Sequence, residues 1–311
     1  MIKISVIITY YNQQDSLEVV LKSLEQQVDI NMEYMEVVIV NDGSTLDKDI
    51  FTRFTSLNIK YIEHPKNLGR SATRNTGETA ANGEVLIFID GDRFVAPTFV
   101  KEHYNAHLHS KEIVVIGDIV EIFHNRIEFY HECLPIMFQQ NNCQIWKFAR
   151  RYNYAECVFK IFRENGTTIS NTPWISLFSG NFSLRKETYE EIGGFDENYD
   201  SWGMENMEFG YRLCKNNIQF ILNKKAVNFH IFHRQNRCLG ENIKIRYLKR
   251  KYPNNKQFAD YMKFISGEIS LDVLENSKEQ QNNIQPIYYS RNKLGSKYKY
   301  EEFVSTNSTS L

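Results

Sequence analysis

Cysteine is scarce in this sequence and is not arranged in pairs. Five cysteines stand at positions 133, 143, 157, 214 and 238, and none belongs to a CxxC motif. An odd set without such spacing is typical of free thiols rather than of a disulfide framework or a zinc site. We therefore expect the chain to work in a reducing compartment, the cytoplasm.

An excess of charge of one sign and a long apolar run are also missing. The 37 lysines and arginines nearly balance the 38 aspartates and glutamates, so no overall field attracts nucleic acid or anionic lipid. No window approaches the roughly 18 apolar residues of a membrane span, and the N-terminal apolar run is too short for a signal peptide. We expect no nucleic-acid partner and at most a peripheral contact with a membrane.

Glycine is absent from TYYNQQDS, the stretch that follows the first predicted strand. A dinucleotide-binding sheet needs a GxGxxG turn at this place. A nicotinamide-dependent oxidoreductase, which would share the alternation of strands and helices, is therefore disfavoured.

Strands and helices alternate over the first half of the chain. Continuous apolar runs predict strands at 3–11, 35–42, 59–65, 84–92 and 112–120, and helical spacing predicts helices at 16–27, 47–55, 70–81 and 97–109. Strands that are apolar on both faces belong to a mostly parallel sheet with helices on either side. Such a sheet binds ligands at the carboxyl ends of its strands. The fold class is therefore α/β.

Two carboxylates follow the strand in EVLIFIDGDRF, which places Asp90 and Asp92 on either side of a glycine. Carboxylates at this spacing can hold Mg²⁺ or Mn²⁺ and leave positions open for phosphate oxygens. A tight turn alone would also explain the triplet.

Two arginines precede that strand, and polar residues end the strands before it. Arg70 and Arg74 are four residues apart at the start of a predicted helix, where their guanidinium groups suit phosphate oxygens. Asp42 can accept the imide N–H of a uracil, Tyr11 offers a stacking face, and Thr9 offers a hydroxyl. The alternatives are a solvated helical face for the arginines and a helix cap for Asp42.

Five motifs occur in order along the chain: SVIITYYN, VVIVNDGSTLD, NLGRSATRNTG, GEVLIFIDGD and GGFDENYDSWGMENMEFGYRL. Over about residues 3–235 they resemble the family 2 glycosyltransferases of the GT-A fold, and the last is similar to a galactosyltransferase segment. The resemblance implies transfer of a sugar from a nucleoside diphosphate sugar with inversion. It also implies that Asp42 reads the base, that Arg70 and Arg74 lie near the diphosphate, and that Asp90 and Asp92 form the DxD metal motif.

The resemblance implies three parts of the chain. Residues 1–238 would form the catalytic domain, with a nucleotide-binding half over about 1–120 and an acceptor half over about 121–238. Residues 239–311 would form a helical extension and a flexible tail.

The catalytic base is the point at which the sequence departs from the family. The usual base is the aspartate of a Glu-Asp pair, but here Glu205 is followed by Asn206, and an amide cannot take a proton. Either Glu205 takes over, or the protein binds a nucleotide sugar without transferring it. The resemblance also implies that Trp202 and Glu205 contact a sugar and that Asn181 lines the acceptor side.

Members of the family that the sequence resembles, where they have the GGFDE...WG segment, often carry a late histidine that completes the metal site. His230 and His233 are the candidates, and nitrogen with two carboxylates suits Mn²⁺ better than oxygen alone would. A strand through 226–233 would send the two to opposite faces, so we expect one of them to bind, His233, with His230 as the alternative.

The resulting hypothesis is a metal-dependent, inverting glycosyltransferase that uses Mn²⁺ or Mg²⁺. Its donor would be a UDP-sugar of hexose or N-acetylhexosamine type, and its acceptor a glycan, a lipid-linked saccharide or a peptide. Nucleotidyl transfer would share the carboxylates and the metal but leaves the GGFDE...WG segment unexplained.

Overall fold

The computed structural model describes residues 1–140, 144–199, 204–233, 241–277, 288 and 300–303. Within these residues ten strands form one sheet. They are β1 (Ile4–Tyr10), β2 (Met35–Asn41), β3 (Ile59–Glu63), β4 (Val85–Asp90), β5 (Arg93–Val95), β6 (Ile113–Ile122), β7 (Ala149–Arg151), β8 (Asn181–Arg185), β9 (Gln219–Ile231) and β10 (Tyr300–Phe303).

The sheet has a parallel half and a mixed half. Its order is β10-β3-β2-β1-β4-β8-β6-β9-β5, and β7 pairs with β6. Strands β3, β2, β1 and β4 are mutually parallel, and β6 and β9 are parallel too. β8 runs antiparallel between β4 and β6. The predicted α/β class with helices on both faces is confirmed.

Helices cover the sheet on its two faces. They are α1 (Gln14–Glu25), α2 (Arg70–Ala80), α3 (Phe99–Ala106), α4 (Ile127–Gln140), α5 (Asn153–Val158), α6 (Lys186–Ile192), α7 (Glu205–Lys215), α8 (Glu241–Lys251), α9 (Lys256–Ile265) and α10 (Leu271–Glu275). Short 3-10 helices span Met32–Tyr34, Lys48–Arg53, Gln144–Lys147, Phe159–Ile161 and Pro173–Ser176. The helix predicted at 47–55 is therefore the 3-10 segment Lys48–Arg53. No described helix is both long and apolar enough to cross a membrane.

Alternate residues of β1 enter two separate hydrophobic cores. Val6 and Ile8 pack in one core with residues of α1 and α4, while Ile7 packs in the other with residues of α6 and α7. Because neighbouring side chains of a strand point to opposite faces, a central strand with consecutive apolar residues, such as 6–8 of β1, serves both cores. This explains why the strand runs of the sequence are continuous.

The C-terminal helices share the second core. Leu248 of α8, Phe258 of α9 and Leu274 of α10 are buried in it. The predicted boundary at residue 238 falls among residues 234–240, outside the described part of the chain.

A strand lies within the tail that the sequence predicts to be flexible. β10 pairs antiparallel with β3, and Lys48 Nζ donates to Glu301 Oε1 at 2.6 Å. Without β10, β3 would be an edge strand with unpaired backbone groups. Residues 300–303 of the predicted extension and tail therefore form a paired strand.

A buried histidine network joins α3 to β8. His103 Nε2 donates to Asn181 Oδ1 at 2.9 Å, and Ser183 Oγ lies 2.8 Å from His103 Nδ1 and 2.9 Å from His107 Nε2. Burial lowers the pKa of His103 to about 4 and the pKa of His107 to about 3. Both imidazoles are therefore neutral in the folded protein at pH 7.

These histidines predict a loss of stability in weak acid. The unfolded chain protonates both histidines below about pH 6.5, whereas the folded chain does not. Each histidine with a lowered pKa therefore reduces the free energy of unfolding by about 1.4 kcal/mol per pH unit as the pH falls from 6.5 towards 4. Urea unfolding at several pH values should show a shallower decline for His107→Gln. The exposed His109 gives the control His109→Gln, which should match the wild type. Equal slopes for all three proteins would contradict the assignment.

Candidate active site

The carboxyl ends of β1, β2 and β4 bring several predicted residues together. The register pairs Thr9 with Asp90, and Thr9 Oγ1 donates to Asp90 Oδ1 at 3.0 Å. Tyr11 follows β1 and is exposed, and Asp42 follows β2. The parallel half of the sheet thus gathers these side chains at one edge, as expected for such a sheet.

Asp42 anchors the loop that leads into α2. It accepts hydrogen bonds from His64 Nδ1 at 2.9 Å, from Leu68 N at 2.8 Å and from Gly69 N at 3.0 Å. Gly43 has a positive φ of 76°, and a Cβ there would lie 2.3 Å from the Lys66 backbone, so only glycine fits this close approach.

The alternative that Asp42 caps the following helix is wrong. Asp47 performs that role, because its side chain accepts from Asp49 N at the start of Lys48–Arg53.

The two predicted phosphate-binding arginines lie in different environments. Arg70 is exposed at the start of α2, whereas Arg74 is fully buried one turn later. Arg74 Nη2 donates to Ser179 Oγ at 2.9 Å and lies 3.2 Å from Asp90 Oδ1. The guanidinium carbon of Arg74 lies 5.1 Å from the centre of the Phe195 ring. Arg74 therefore does not face the open edge beside Arg70; it holds Asp90 in place from inside.

Asp90 is turned towards arginines. Burial raises its pKa, but Arg74 and Arg70 outweigh that effect, so the pKa of Asp90 is lowered and the carboxylate is charged. Arg93 Nε lies 3.8 Å from Asp90 Oδ2. The predicted DxD pair is thus divided, because Asp90 belongs to an arginine cluster.

Asp92 meets both candidate histidines. His233 Nε2 lies 3.0 Å and His230 Nε2 3.4 Å from Asp92 Oδ2. One ligand atom from each of the three residues lies within 4.8 Å of the others, and in the described part of the chain no other such group of three is found. The expectation that the two histidines point to opposite faces is wrong, because β9 ends at Ile231 and His233 lies beyond it.

Glu121 lies behind this cluster and orients one imidazole. His230 Nδ1 is 2.5 Å from Glu121 Oε2, and Arg93 Nη2 is 3.6 Å from Glu121 Oε1. Burial and Arg93 lower the pKa of His230, but hydrogen bonds to Asp92 and Glu121 prevail and raise it to about 9. Burial raises the pKa of Asp92, yet its hydrogen bonds with His230 and His233 hold the pKa well below its usual range.

The ligand atoms of Asp92, His230 and His233 fit a divalent cation. One carboxylate and two imidazole nitrogens suit Mn²⁺ better than Mg²⁺, which prefers oxygen ligands. A carboxylate on the far nitrogen of a ligating histidine, as Glu121 provides for His230, is the usual support of a metal site. Asp90 is not a member of the group of three.

The start of α7 presents one acidic side chain towards Asp90. Glu205 is buried, and its Oε1 lies 3.7 Å from Arg74 Nη1, so one guanidinium lies between Glu205 and Asp90. Asn206 Nδ2 donates to the Leu177 carbonyl oxygen at 2.6 Å. Trp202 lies outside the described residues.

Glu208, one turn later, has a structural role. It is fully buried, it receives two hydrogen bonds from Arg212, and its Oε1 accepts from Lys251 Nζ and Tyr252 Oη. Through these bonds it ties α7 to α8.

Asn181 does not line an acceptor surface. It is fully buried in β8, and its Nδ2 donates to the carbonyl oxygens of Asp118 and Ala226 at 2.9 and 3.0 Å. The prediction is wrong because β8 is an interior strand of the sheet, so its amide is used to join neighbouring strands.

Sequence reasoning missed Ser179, Arg93 and Glu121. Glu121 interrupts the apolar run of EIVVIGDIVEIF, and an acidic residue in such a strand is a usable signal. Ser179 and Arg93 carry no comparable signal, because their roles depend on Arg74 and on the pairing of β5 with β9.

Comparison with family models gives two matches. The model described as Glycosyl transferase family 2 matches residues 5–193, and the N-terminal domain of galactosyltransferase matches residues 169–234.

Curated relatives match most of this chain but differ in their own length. An uncharacterized glycosyltransferase of Bacillus subtilis, YfnE, is 27% identical over 297 residues, which cover 84% of this chain and 74% of the relative. Chondroitin synthase of Escherichia coli is 27% identical over 268 residues, 80% of this chain and 38% of the synthase. Hyaluronan synthase of Pasteurella multocida is 26% identical over 270 residues, 80% of this chain and 27% of the synthase. The chain therefore spans well under half of the two synthases.

Solved structures share the fold. S. aureus TarS superposes with a TM-score of 0.55 at 19% identity, over 74% of this chain and 37% of TarS. GalNAc-T7, solved with UDP, GalNAc and Mn²⁺, gives a TM-score of 0.56 at 17% identity, over 76% of this chain and 45% of GalNAc-T7.

Proposed function

The chain belongs to glycosyl transferase family 2, and from that premise we propose that it transfers a sugar from a UDP-sugar to a saccharide with the help of a divalent cation. Family, fold and relatives identify a glycosyltransferase of the GT-A fold. The dependence on a cation and the identities of the donor and the acceptor are what we propose.

The observation that carries the proposal is the group of Asp92, His230 and His233 within 4.8 Å at the ligand edge of the sheet. Cleavage of the bond between sugar and phosphate leaves a diphosphate with additional negative charge. A divalent cation on these residues would supply positive charge against it. Because imidazole binds a metal only when neutral, binding would release the proton of His230.

The chain's own residues would receive the rest of the donor. Arg70 is exposed and contributes positive charge near Asp90, so its guanidinium is available to phosphate oxygens. The exposed ring of Tyr11 offers a stacking face for the base. Asp42 Oδ2 accepts one hydrogen bond from Gly69 N, and a carboxylate oxygen can accept a second, which allows the imide contact.

We assign the base to Glu205. Its carboxylate would take the proton of the acceptor hydroxyl as that oxygen attacks the anomeric carbon on the face opposite the diphosphate. The bond from the anomeric carbon to the phosphate oxygen would break with its electron pair on the diphosphate. Attack from the opposite face would invert the anomeric configuration. Glu208 is bound to Arg212, Lys251 and Tyr252 and is not available for this step.

The sugar is proposed to be a hexose or an N-acetylhexosamine, and the acceptor a glycan. Two relatives carry the names of polysaccharide synthases, and one structural neighbour was solved with UDP and GalNAc. Lipid-linked saccharides and peptides remain alternative acceptors.

A donor screen tests this proposal. With Mn²⁺ present, the UDP forms of glucose, galactose, GlcNAc and GalNAc should be compared with GDP-mannose and dTDP-glucose by thermal unfolding. A ligand at a hundred times its Kd adds about 2.7 kcal/mol of stability, which should raise the Tm by several degrees. We expect this shift with one or more of the UDP-sugars and not with GDP-mannose or dTDP-glucose. Equal shifts with the GDP and dTDP compounds, or none with any UDP-sugar, would contradict the proposal.

A second candidate is a protein that binds the donor without transferring the sugar. The observation in its favour is Asn206, an amide at the position where the family usually has an aspartate.

A further inference from the structure

Four charged side chains form one row across strands β5, β9, β6 and β7. The register pairs Arg93 with His230, His230 with Glu121, and Glu121 with Arg150. Directly paired residues on neighbouring strands project from the same face of a sheet. His230 and Arg93 contact Glu121, so the row includes one member of the cation cluster, and Arg150 lies on the side of β6 opposite β9.

Arg150 differs from the other members of the row. It is exposed, and its Nη1 donates to the adjacent Ala149 carbonyl oxygen at 3.2 Å. Within the described ranges no carboxylate forms an ion pair with Arg150. By contrast, the adjacent Arg151 donates hydrogen bonds of 2.6 to 3.1 Å to the carboxylate of Asp118. The guanidinium fork of Arg150 is thus available to an anion from outside.

Two exposed phenylalanines lie just beyond the row. Phe123 follows Glu121 by two residues, and Phe232 follows His230 by two residues. Their ring centres are 6.0 Å apart, and the side chains are 57% and 41% exposed. A pair of exposed aromatic rings beside a polar cluster is typical of a ligand-binding surface, and such rings can pack against the apolar face of a sugar.

This surface lies apart from the residues that are proposed to bind the nucleotide. Thr9, Tyr11 and Asp42 follow β1 and β2, whereas the row and the two rings lie at the ends of β6 and β9, beyond β4 and β8 in the order of the sheet. The cation cluster joins the row to the end of β4, because His230 belongs to the row and Asp92 follows β4. A molecule on the rings of Phe123 and Phe232 would lie beside the cation cluster, because Phe232 immediately precedes His233.

We propose that Phe123, Phe232 and Arg150 form an acceptor subsite for an acidic saccharide. A sugar ring packs on the two phenylalanines, and its carboxylate or phosphate binds the guanidinium of Arg150. The exposed guanidinium of Arg150 favours an acidic sugar over a neutral one. This inference rests on the proposed glycosyl transfer and names the chemical class of its acceptor.

Calorimetric titration in the presence of UDP and Mn²⁺ tests the subsite. The probes are a hexasaccharide of alternating uronic acid and N-acetylhexosamine, the same hexasaccharide with its carboxyl groups reduced to alcohols, and a glycerol phosphate oligomer. We expect at least one acidic probe to bind about tenfold more tightly than the neutral one, as loss of a charged hydrogen-bond partner implies. The two acidic probes distinguish a carboxylate from a phosphate.

Variants assign the effect to residues. Arg150→Ala should remove the preference for the acidic probe, and Phe123→Ala should weaken binding of the acidic and neutral probes alike. The exposed Arg163 and Tyr34, which lie away from the row, give the controls Arg163→Ala and Tyr34→Ala, which should bind like the wild type. None of these variants should change the Kd for UDP.

Three results would overturn the inference. They are no binding of either acidic probe, equal binding of acidic and neutral probes, or a loss of UDP affinity in Arg150→Ala, which would place that residue on the donor instead. Failure of the wild type to bind UDP would count against the proposed function, and because UDP is titrated separately the two failures are distinguishable.

Discussion

Glu205→Gln is expected to lower the rate of sugar transfer by about a hundredfold or more, while the Kd for UDP remains unchanged. Glutamine keeps the size of the side chain but cannot take a proton. Glu205 is the acidic group of α7 that lies near Asp90, because both contact Arg74. Release of UDP in the presence of acceptor, with UDP binding measured in parallel, separates a loss of chemistry from a loss of donor.

The matched control is Glu191→Gln. Glu191 is exposed on α6, so this variant should transfer at the wild-type rate. Wild-type transfer by Glu205→Gln would exclude Glu205 as the base.

Asn206→Asp is the companion variant, because it restores the residue that the family usually carries. We expect no gain in transfer. Asn206 Nδ2 donates to the Leu177 carbonyl oxygen at 2.6 Å, and an aspartate would lose that donor and place a carboxylate against the carbonyl. The free energy of unfolding should fall by about 1–3 kcal/mol. If instead the aspartate variant transfers sugar and the wild type does not, the natural chain is a binding protein.

Asp92→Asn is expected to weaken Mn²⁺ binding by at least a factor of about a hundred and to lower transfer by a similar factor. The substitution leaves the shape of the side chain but removes the anionic oxygen that lies near both His230 and His233. A neutral amide is also a poorer ligand for a divalent cation than a carboxylate. Free Mn²⁺, measured by its electron paramagnetic resonance signal, reports the affinity directly.

Asp49→Asn is the control for this loss. Asp49 is exposed at the 3-10 helix Lys48–Arg53, far along the chain from the cluster, and its replacement should leave Mn²⁺ binding unchanged. An unaltered Mn²⁺ affinity in Asp92→Asn would remove Asp92 from the cation site.

The parallel half of the sheet could be predicted from sequence because its cause is local. Every residue of β2 is buried, and the strand is marked in the sequence by four consecutive apolar residues, 37–40. The polar residues that end β1, β2 and β4 are equally local, which is why Thr9, Asp42 and Asp90 could be placed at one edge.

The division of labour between Asp90 and Asp92 could not be predicted in this way. One glycine separates them in sequence, yet Asp90 contacts Arg74 from α2 while Asp92 contacts His230 from β9. Which partner reaches which carboxylate depends on how a helix and a distant strand pack. The prediction that His230 and His233 point to opposite faces was wrong for a related reason. Side chains alternate between faces only while the strand continues, and β9 ends at Ile231.

The account rests on a cation that links Asp92, His230 and His233 to a nucleoside diphosphate, and thermal unfolding of the wild-type chain with UDP tests it most directly. With Mn²⁺ present, saturating UDP should raise the Tm by several degrees, and the same UDP with EDTA in place of Mn²⁺ should have little effect. An equal rise in Tm with UDP in EDTA would show that the nucleotide binds without the cation and would contradict the account.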